Sequence, residues 1–424
     1  MRGRPNLFTS YESEMSLFPS TTKRITMVLL AIIAILAPLA ALPFFGYLGD
    51  SGWLILINRT LIFAIGALGL NLLTGVAGQV SLGHAFFLAV GAYTAVLLGG
   101  ESGNTTWGFG LPMWIWLPAA GIVAAVIGVL VAPLGVRIRG LYLAFATLGL
   151  VFIGQHLFRN FNSITGTPGI GRRWPRLEFA LWKDMDPLVS FAESGPLWWF
   201  LRPVNLLPWV QVDEMSGASK TYFLLLVLMT VMALLSKNIM RTRVGRSWAA
   251  IRDRDIAAEV MGVNEVRGKT QAFAISSFYA GLAGALLGSV VGQLIPETWD
   301  LLLSVEFVAI ILIGGAGTVA GTLMGSFFVL MSPRIVENTT RWLAGQAEDG
   351  GPFSWLGNLI IRSGPDDVIG IISLEAAGPG LSIFQFNVVL FGILIVVFLI
   401  AEPLGLFGIW IRVRNYWRGW PFTY

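Results

Sequence analysis

The sequence contains no cysteine and only two histidines, His84 and His156. Without thiols there is neither a disulfide framework nor a thiolate metal site. The two histidines stand far apart, with no HExxH-like spacing, which removes the usual imidazole metal site. Charge is scarce as well. Asp, Glu, Lys and Arg make up 12% of the residues, against about 25% in an average soluble domain. The chain is instead 55% hydrophobic, with many runs of roughly the 17–25 apolar residues that a bilayer core demands. The composition predicts an all-α, polytopic integral membrane protein.

The few charges sit at the ends of the apolar runs. A nucleic-acid binder would gather its basic residues into one footprint with stacking aromatics; here they flank spans, where the positive-inside rule accounts for them. No nucleic-acid partner is expected. The run "MVLLAIIAILAPLAALPFFGYL" (27–48) follows Lys23 and Arg24. It exceeds the roughly 7–15 residues of a signal-peptide core and is read as an uncleaved first helix.

Hydropathy predicts helices near 25–48, 53–73, 80–98, 112–136, 141–158, 220–236, 270–294 and 386–409. The stretch 302–332 would be about 46 Å long as one straight helix, too long for a hydrocarbon core of about 30 Å. Its glycine-rich "GGAGTVAG" (314–321) predicts a split into two short crossings. Lys237, Arg241, Arg243, Arg246, Arg252, Arg254, Arg267 and Lys269 place 237–269 in the cytoplasm, and the basic N- and C-terminal tails belong there too. Both ends inside require an even number of spans, and the split gives about ten.

The expected organisation is a cytoplasmic tail (1–24), a transmembrane domain (25–411) and a second cytoplasmic tail (412–424). Residues 159–219 form an external loop, 237–269 a cytoplasmic segment and 333–385 an acidic external insertion with a short helix around "LGNLIIR" (356–362). Trp174, Trp182, Trp198, Trp199 and Trp209 in the first loop read as interfacial anchors or as a docking surface for an external partner. A short, gapped likeness between "TGVAGQVSLGHAFF" (74–87) and "GGAGTVAGTLMGSFF" (314–328) suggests paired interrupted helices of the transporter kind.

Within 237–269, Gly268-Lys269-Thr270 imitates the end of a phosphate-binding loop. The motif G-x-x-x-x-G-K-[ST] requires a glycine at 263, where the chain has valine, and a preceding strand that is absent. ATP is therefore not bound here. As a single helix this segment would scatter its apolar residues around the axis. Two short helices broken near "RDRD" (252–255) fit better, with Asp253 or Asp255 capping the second and Gly262 ending it.

The stretch "RTRVGRSWAAIRDRDIAAEVMGV" resembles the coupling segment of ABC-importer permeases, in the form found in the branched-chain amino acid permease family. The general signature has Glu-Ala-Ala, three residues, then Gly; its counterpart here is Asp255, Ala257, Ala258 and Gly262, with Asp in place of Glu. "LGLNLLTGVAGQVSLGHAFFLAVGAYTA" (68–95), "RIRGLYLAFATLGL" (137–150), "ITGTPGI" (164–170), "FAISSFYAGLAGALLG" (273–288) and "AEPLGLFG" (401–408) resemble further segments in the same order. The M-type subunit is the nearest form. The resemblance implies a permease with no cofactor and no catalytic residue of its own. It would pair with a second homologous permease, two cytoplasmic ATPase subunits and an extracytoplasmic substrate-binding protein, in a prokaryotic inner membrane. Arg252, Asp255 and Glu259 would then contact the ATPase, with Gly262 as the turn.

Thr74, Gln79, Ser81 and His84 are polar groups in a glycine-broken, membrane-embedded segment. They read either as the translocation path or permease–permease seam, or as interhelical hydrogen bonds. A secondary transporter would need an intramembrane charge for coupling, and Glu306 is the one obvious candidate. A membrane enzyme would need convergent nucleophile, base or metal ligands, which the sequence does not supply. The family resemblance leaves branched-chain amino acids, other amino acids, and urea or amides as solutes.

Overall fold

The computed structural model describes residues 21–36, 38, 51–103, 106–138, 140–166, 170–180, 189–191, 216–348, 352, 354–355, 361–362, 372–373, 381–402 and 404–419. They form an all-α membrane architecture. The helices are α1 (Thr21–Leu36), α2 (Ser51–Leu70), α3 (His84–Gly99), α4 (Met113–Arg137), α5 (Leu141–Asn160), α6 (Asn162–Thr165) and α7 (Gly217–Arg241). They continue as α8 (Arg243–Val260), α9 (Glu265–Val291), α10 (Leu301–Gly314), α11 (Val319–Glu348), α12 (Ile383–Ala401) and α13 (Gly405–Gly419). Six helices among the described residues are long and apolar enough to cross a membrane. Shorter apolar helices are His84–Gly99, which is α3, and Val388–Phe398 within α12, so the length criterion supports six spans directly rather than ten.

The core forms around α9, which packs against α2, α3 and α4. Small residues make this possible. A Cβ on Gly91 of α3 would strike the backbone of Gly281 on α9, and one on Gly284 would strike the backbone of Leu88. Backbones that approach this closely gain dispersion contacts that larger side chains would block. Phe63 of α2 stacks on Phe307 of α10, ring centroids 4.7 Å apart, extending the core to the next helix.

Several expected boundaries shift. The first helix starts at Thr21 rather than 25. The segment 237–269 overlaps the next long helix, since α9 begins at Glu265 rather than 270. The 302–332 split is present, with α10 ending at Gly314 and α11 beginning at Val319. However, α11 runs on through Pro333 to Glu348, so the 333–385 insertion begins as helix rather than loop. Pairs at helical spacing favour that continuation: Glu337 lies 3.4 Å from Arg334 and 2.6 Å from Arg341. The 386–409 span is broken after Ala401, because Pro403 disfavours helix in the residue before it. Arg412 of α13 folds back onto Glu402 across the break at 2.6 Å.

Regular strands are two-residue pairs. β1 (Arg172–Arg173) pairs antiparallel with β4 (Gln293–Leu294), fastening the long loop to the end of α9; β2 (Glu178–Phe179) pairs with β3 (Val189–Ser190). β5 (Ile361–Arg362), β6 (Ile372–Ser373) and β7 (Leu381–Ser382) form a small parallel sheet. The expected helix around 356–362 is therefore strand at its last two residues, and 356–360 lie outside the described residues. Of the five tryptophans, Trp174 is buried against Gly288 and edge-on to Trp116, centroids 6.5 Å apart. It is a packing residue, not an interfacial anchor. Trp182, Trp198, Trp199 and Trp209 lie outside the described residues.

Candidate functional site

The segment 237–269 folds as expected, as two helical pieces ahead of α9. α8 is kinked at Arg254, whose φ and ψ of −155° and 96° are not helical. Before the kink, Trp248 and Ile251 are buried, and Ile251 packs over Gly268 at the start of α9. Full burial of two such side chains contributes roughly 3–6 kcal/mol, which ties the first piece rigidly to the membrane helix that follows it. After the kink only Ala258 is buried. The Asp255 carboxylate accepts from the Ile256 N–H at 2.8 Å, and the second piece ends at Gly262, with φ +84°. There the N–H of Val263 donates to Ala258 at 2.9 Å and that of Gly262 to Glu259 at 2.9 Å. This pair of bonds is the Schellman closure that a left-handed glycine permits.

The turn displays apolar side chains. Ile256, Val260 and Met261 are 69%, 81% and 84% exposed, and Ile256 and Val260 share a face one helical turn apart. Ala257 and Glu259 are exposed beside them, and the Glu259 carboxylate carries no hydrogen bond or ion pair among the described residues.

Arg252 does something different. Its Nη1 donates to the carbonyl of Gly75 at 2.8 Å, while Nε meets Asp253 at 3.1 Å. Gly75 lies in a single π-helical turn, Asn71–Val76, that ends α2; such bulges are frequent at functional sites. The Asn71 side chain in that turn accepts from the N–H of Gly317 at 2.7 Å. Gly317, with φ +81°, belongs to the four-residue link between α10 and α11. A Cβ on Gly75 would collide with the Gly317 backbone and with the Asn71 amide. The two glycine-broken segments that resemble each other in sequence thus touch, and Arg252 joins the kinked helix to their contact.

Of the other singled-out polar residues, Thr74 is half-buried and donates to the Gln79 carbonyl at 3.0 Å. Ser81 is buried and accepts from the Gly83 N–H at 3.3 Å. His84 is buried, with Nε2 donating to the Gly66 carbonyl of α2 at 3.0 Å and its ring edge-on to Phe307. Gln79 is buried with neither amide atom bonded, beside Gly135 and Phe273. The four stand in one segment, but three make local or helix-to-helix bonds and only Gln79 has unused capacity.

Residues 52–361 match the family described as branched-chain amino acid transport system, permease component. The chain belongs to that permease family. It is 31% identical over 297 residues to the high-affinity branched-chain amino acid transport system permease protein LivM of Salmonella typhimurium, a match covering 69% of this chain and 65% of that protein. It is 30% identical to LivM of Escherichia coli K12 over the same length and shares. The chain thus spans somewhat less than two thirds of these relatives. A 28% identity over 154 residues, 35% of this chain and 40% of the relative, links it to the autoinducer 2 import system permease protein LsrC of Photorhabdus luminescens. No solved structure matches.

The interrupted helix of this permease is completed by side chains from elsewhere that the sequence did not single out. Thr147 of α5 accepts from the Leu82 N–H at 3.0 Å, and Ser304 of α10 accepts from the Ala85 N–H at 3.0 Å. These replace the bonds lost where α3 starts. Asn71 does the same for Gly317. A lone Thr, Ser or Asn inside an apolar run was the available signal, since each needs a partner at that depth. Which partner it takes is not written locally. Lys269 stands near the start of α9, where it is buried and paired with Glu265 at 2.7 Å.

Proposed function

We propose that this permease is the membrane-spanning subunit of a binding-protein-dependent ABC importer for branched-chain or other amino acids. It pairs with a second homologous permease, takes solute from an extracytoplasmic binding protein and is driven by two cytoplasmic ATPase subunits. In this reading both termini and the segment 237–269 are cytoplasmic in a prokaryotic inner membrane, and 159–219 and 333–385 lie outside.

The observation that carries it is the build of α8. One piece is anchored through Trp248 and Ile251, the next presents Ile256, Val260 and Met261 to a partner, and Arg252 at the kink reaches the broken membrane helices. A permease without a nucleotide site must receive ATP-driven motion mechanically, and a rigid cap on a hinge delivers it. Asp255, Ala257, Ala258, Glu259 and Gly262 form the cap. Arg252 is its link inward. Thr74, Gln79, Ser81 and His84 belong to the broken segment, which in this reading borders the translocation path or the seam with the second permease.

The test is ATP hydrolysis and leucine uptake with purified components in proteoliposomes. The isolated chain is expected to hydrolyse no ATP, and the complex with its ATPase subunits and binding protein to import leucine. Hydrolysis by the chain alone would overturn the reading.

A further inference from the structure

A cavity of about 290 Å³ lies between α2, α10 and α11 and is lined by both signs of charge. Arg59 of α2 and Glu306 of α10 face it, and Leu56, Leu330 and Pro333 supply apolar wall. Arg334 and Glu337 also reach it, but they are already engaged with each other at 3.4 Å, and Glu337 with Arg341 at 2.6 Å. Arg59 and Glu306 are not. The Arg59 guanidinium sits 5.2 Å from the centre of the Phe63 ring. It acts on Glu306 electrostatically without closing an ion pair, and the half-buried Glu306 carboxylate carries no hydrogen bond among the described residues.

Charge on a membrane helix is costly unless it is paired or reaches water, so an open pair across a cavity near the membrane face favours a ligand that answers both charges. A cation alone satisfies Glu306 and leaves Arg59; an anion alone does the reverse. A ligand with both charges close together satisfies both. The carboxylate fits the planar guanidinium fork, the ammonium fits Glu306, and a side chain against Leu56, Leu330 and Pro333 is apolar. Arg59 is sixteen residues before Gly75 on the same helix, about 24 Å at 1.5 Å per residue. The cavity is therefore near the membrane face opposite α8, the side where an importer receives solute.

We propose that Arg59 and Glu306 form an entry site for the zwitterionic end of an α-amino acid with an apolar side chain. The site rests on the importer reading above and adds the residues that would select the solute within the membrane.

The test uses the assembled transporter in proteoliposomes with L-leucine as probe, and isopentylamine and 4-methylpentanoate as competitors that each lack one charge. Arg59→Gln and Glu306→Gln are each expected to raise the leucine concentration for half-maximal uptake at least tenfold. The exchange Arg59→Glu with Glu306→Arg is expected to recover part of the loss, and neither competitor is expected to inhibit the parent. If a neutral variant does not assemble, Arg59→Lys and Glu306→Asp keep the charge and are expected to shift the same constant severalfold. Parent-like leucine uptake in the assembled variants, or full inhibition by either competitor, would overturn the site. A parent complex that imports no leucine would overturn the importer reading instead.

Discussion

Arg252 on the kinked helix α8 donates to the backbone carbonyl of Gly75, the residue whose α-carbon faces Gly317. One side chain therefore connects the segment proposed to meet the ATPase with both interrupted membrane helices. A hydrogen bond from a charged donor contributes about 1.5–3 kcal/mol. Arg252→Ala is expected to leave ATP hydrolysis by the assembled complex in place and to lower solute imported per ATP about tenfold. Equal stoichiometry in parent and variant would refute the link.

The contact between the two breaks is a steric one. Gly75→Ala forces a Cβ onto the Gly317 backbone, and Gly317→Ala places a side chain at φ +81°. Each is expected to cost about 1–3 kcal/mol, seen as a lower melting temperature in detergent. Gly149→Ala, within α5 and with nothing within 4 Å of the added carbon, is the control and should be neutral or stabilising by up to about 1 kcal/mol.

The two pieces of α8 should separate stability from association. Trp248→Ala empties a fully buried position and is expected to cost about 3–5 kcal/mol. Val260→Ser changes an exposed side chain and should leave the melting temperature within about 1 °C while weakening ATPase binding at least tenfold. Unchanged ATPase affinity in the Val260 variant would show that the partner docks elsewhere.

The lack of cysteine makes sidedness directly measurable. Met261→Cys introduces a single, 84% exposed thiol. An impermeant maleimide is expected to label it in inside-out vesicles and not in intact cells, and bound ATPase should protect it. Labelling from outside the cell would invert the topology.

Gly262 closes the cap with φ +84° and an N–H bonded to Glu259. Proline can supply neither that angle nor the donor. Gly262→Pro is expected to abolish uptake while membrane insertion, followed by the yield of folded chain in the membrane fraction, stays at the parent level. Normal uptake would remove the turn from the mechanism.

Much of this arrangement was legible in the sequence where the cause was local. The break at 315–318 follows from glycine density, the kink from the charge pattern around Arg254, and the closure at Gly262 from a glycine after a short helix. The continuation of α11 past Pro333 was missed, because helix-spaced ion pairs on Arg334, Glu337 and Arg341 outweigh one proline. Trp174 was misplaced because an indole reads alike at a lipid interface and in a core; only its packing over Gly288 distinguishes them.

By itself the sequence determined that this is an apolar, mainly helical membrane chain of the permease family, with a charged helical segment between two long apolar helices and no complete phosphate-binding-loop motif. Those properties follow from composition and short-range pattern, which physical chemistry reads residue by residue. The tertiary structure decided that Asn71, Gly75, Arg252 and Gly317 meet, and that Arg59 and Glu306 face one cavity without pairing. These residues are far apart in the chain, and only the packing of α2, α8, α10 and α11 brings their polar groups within reach.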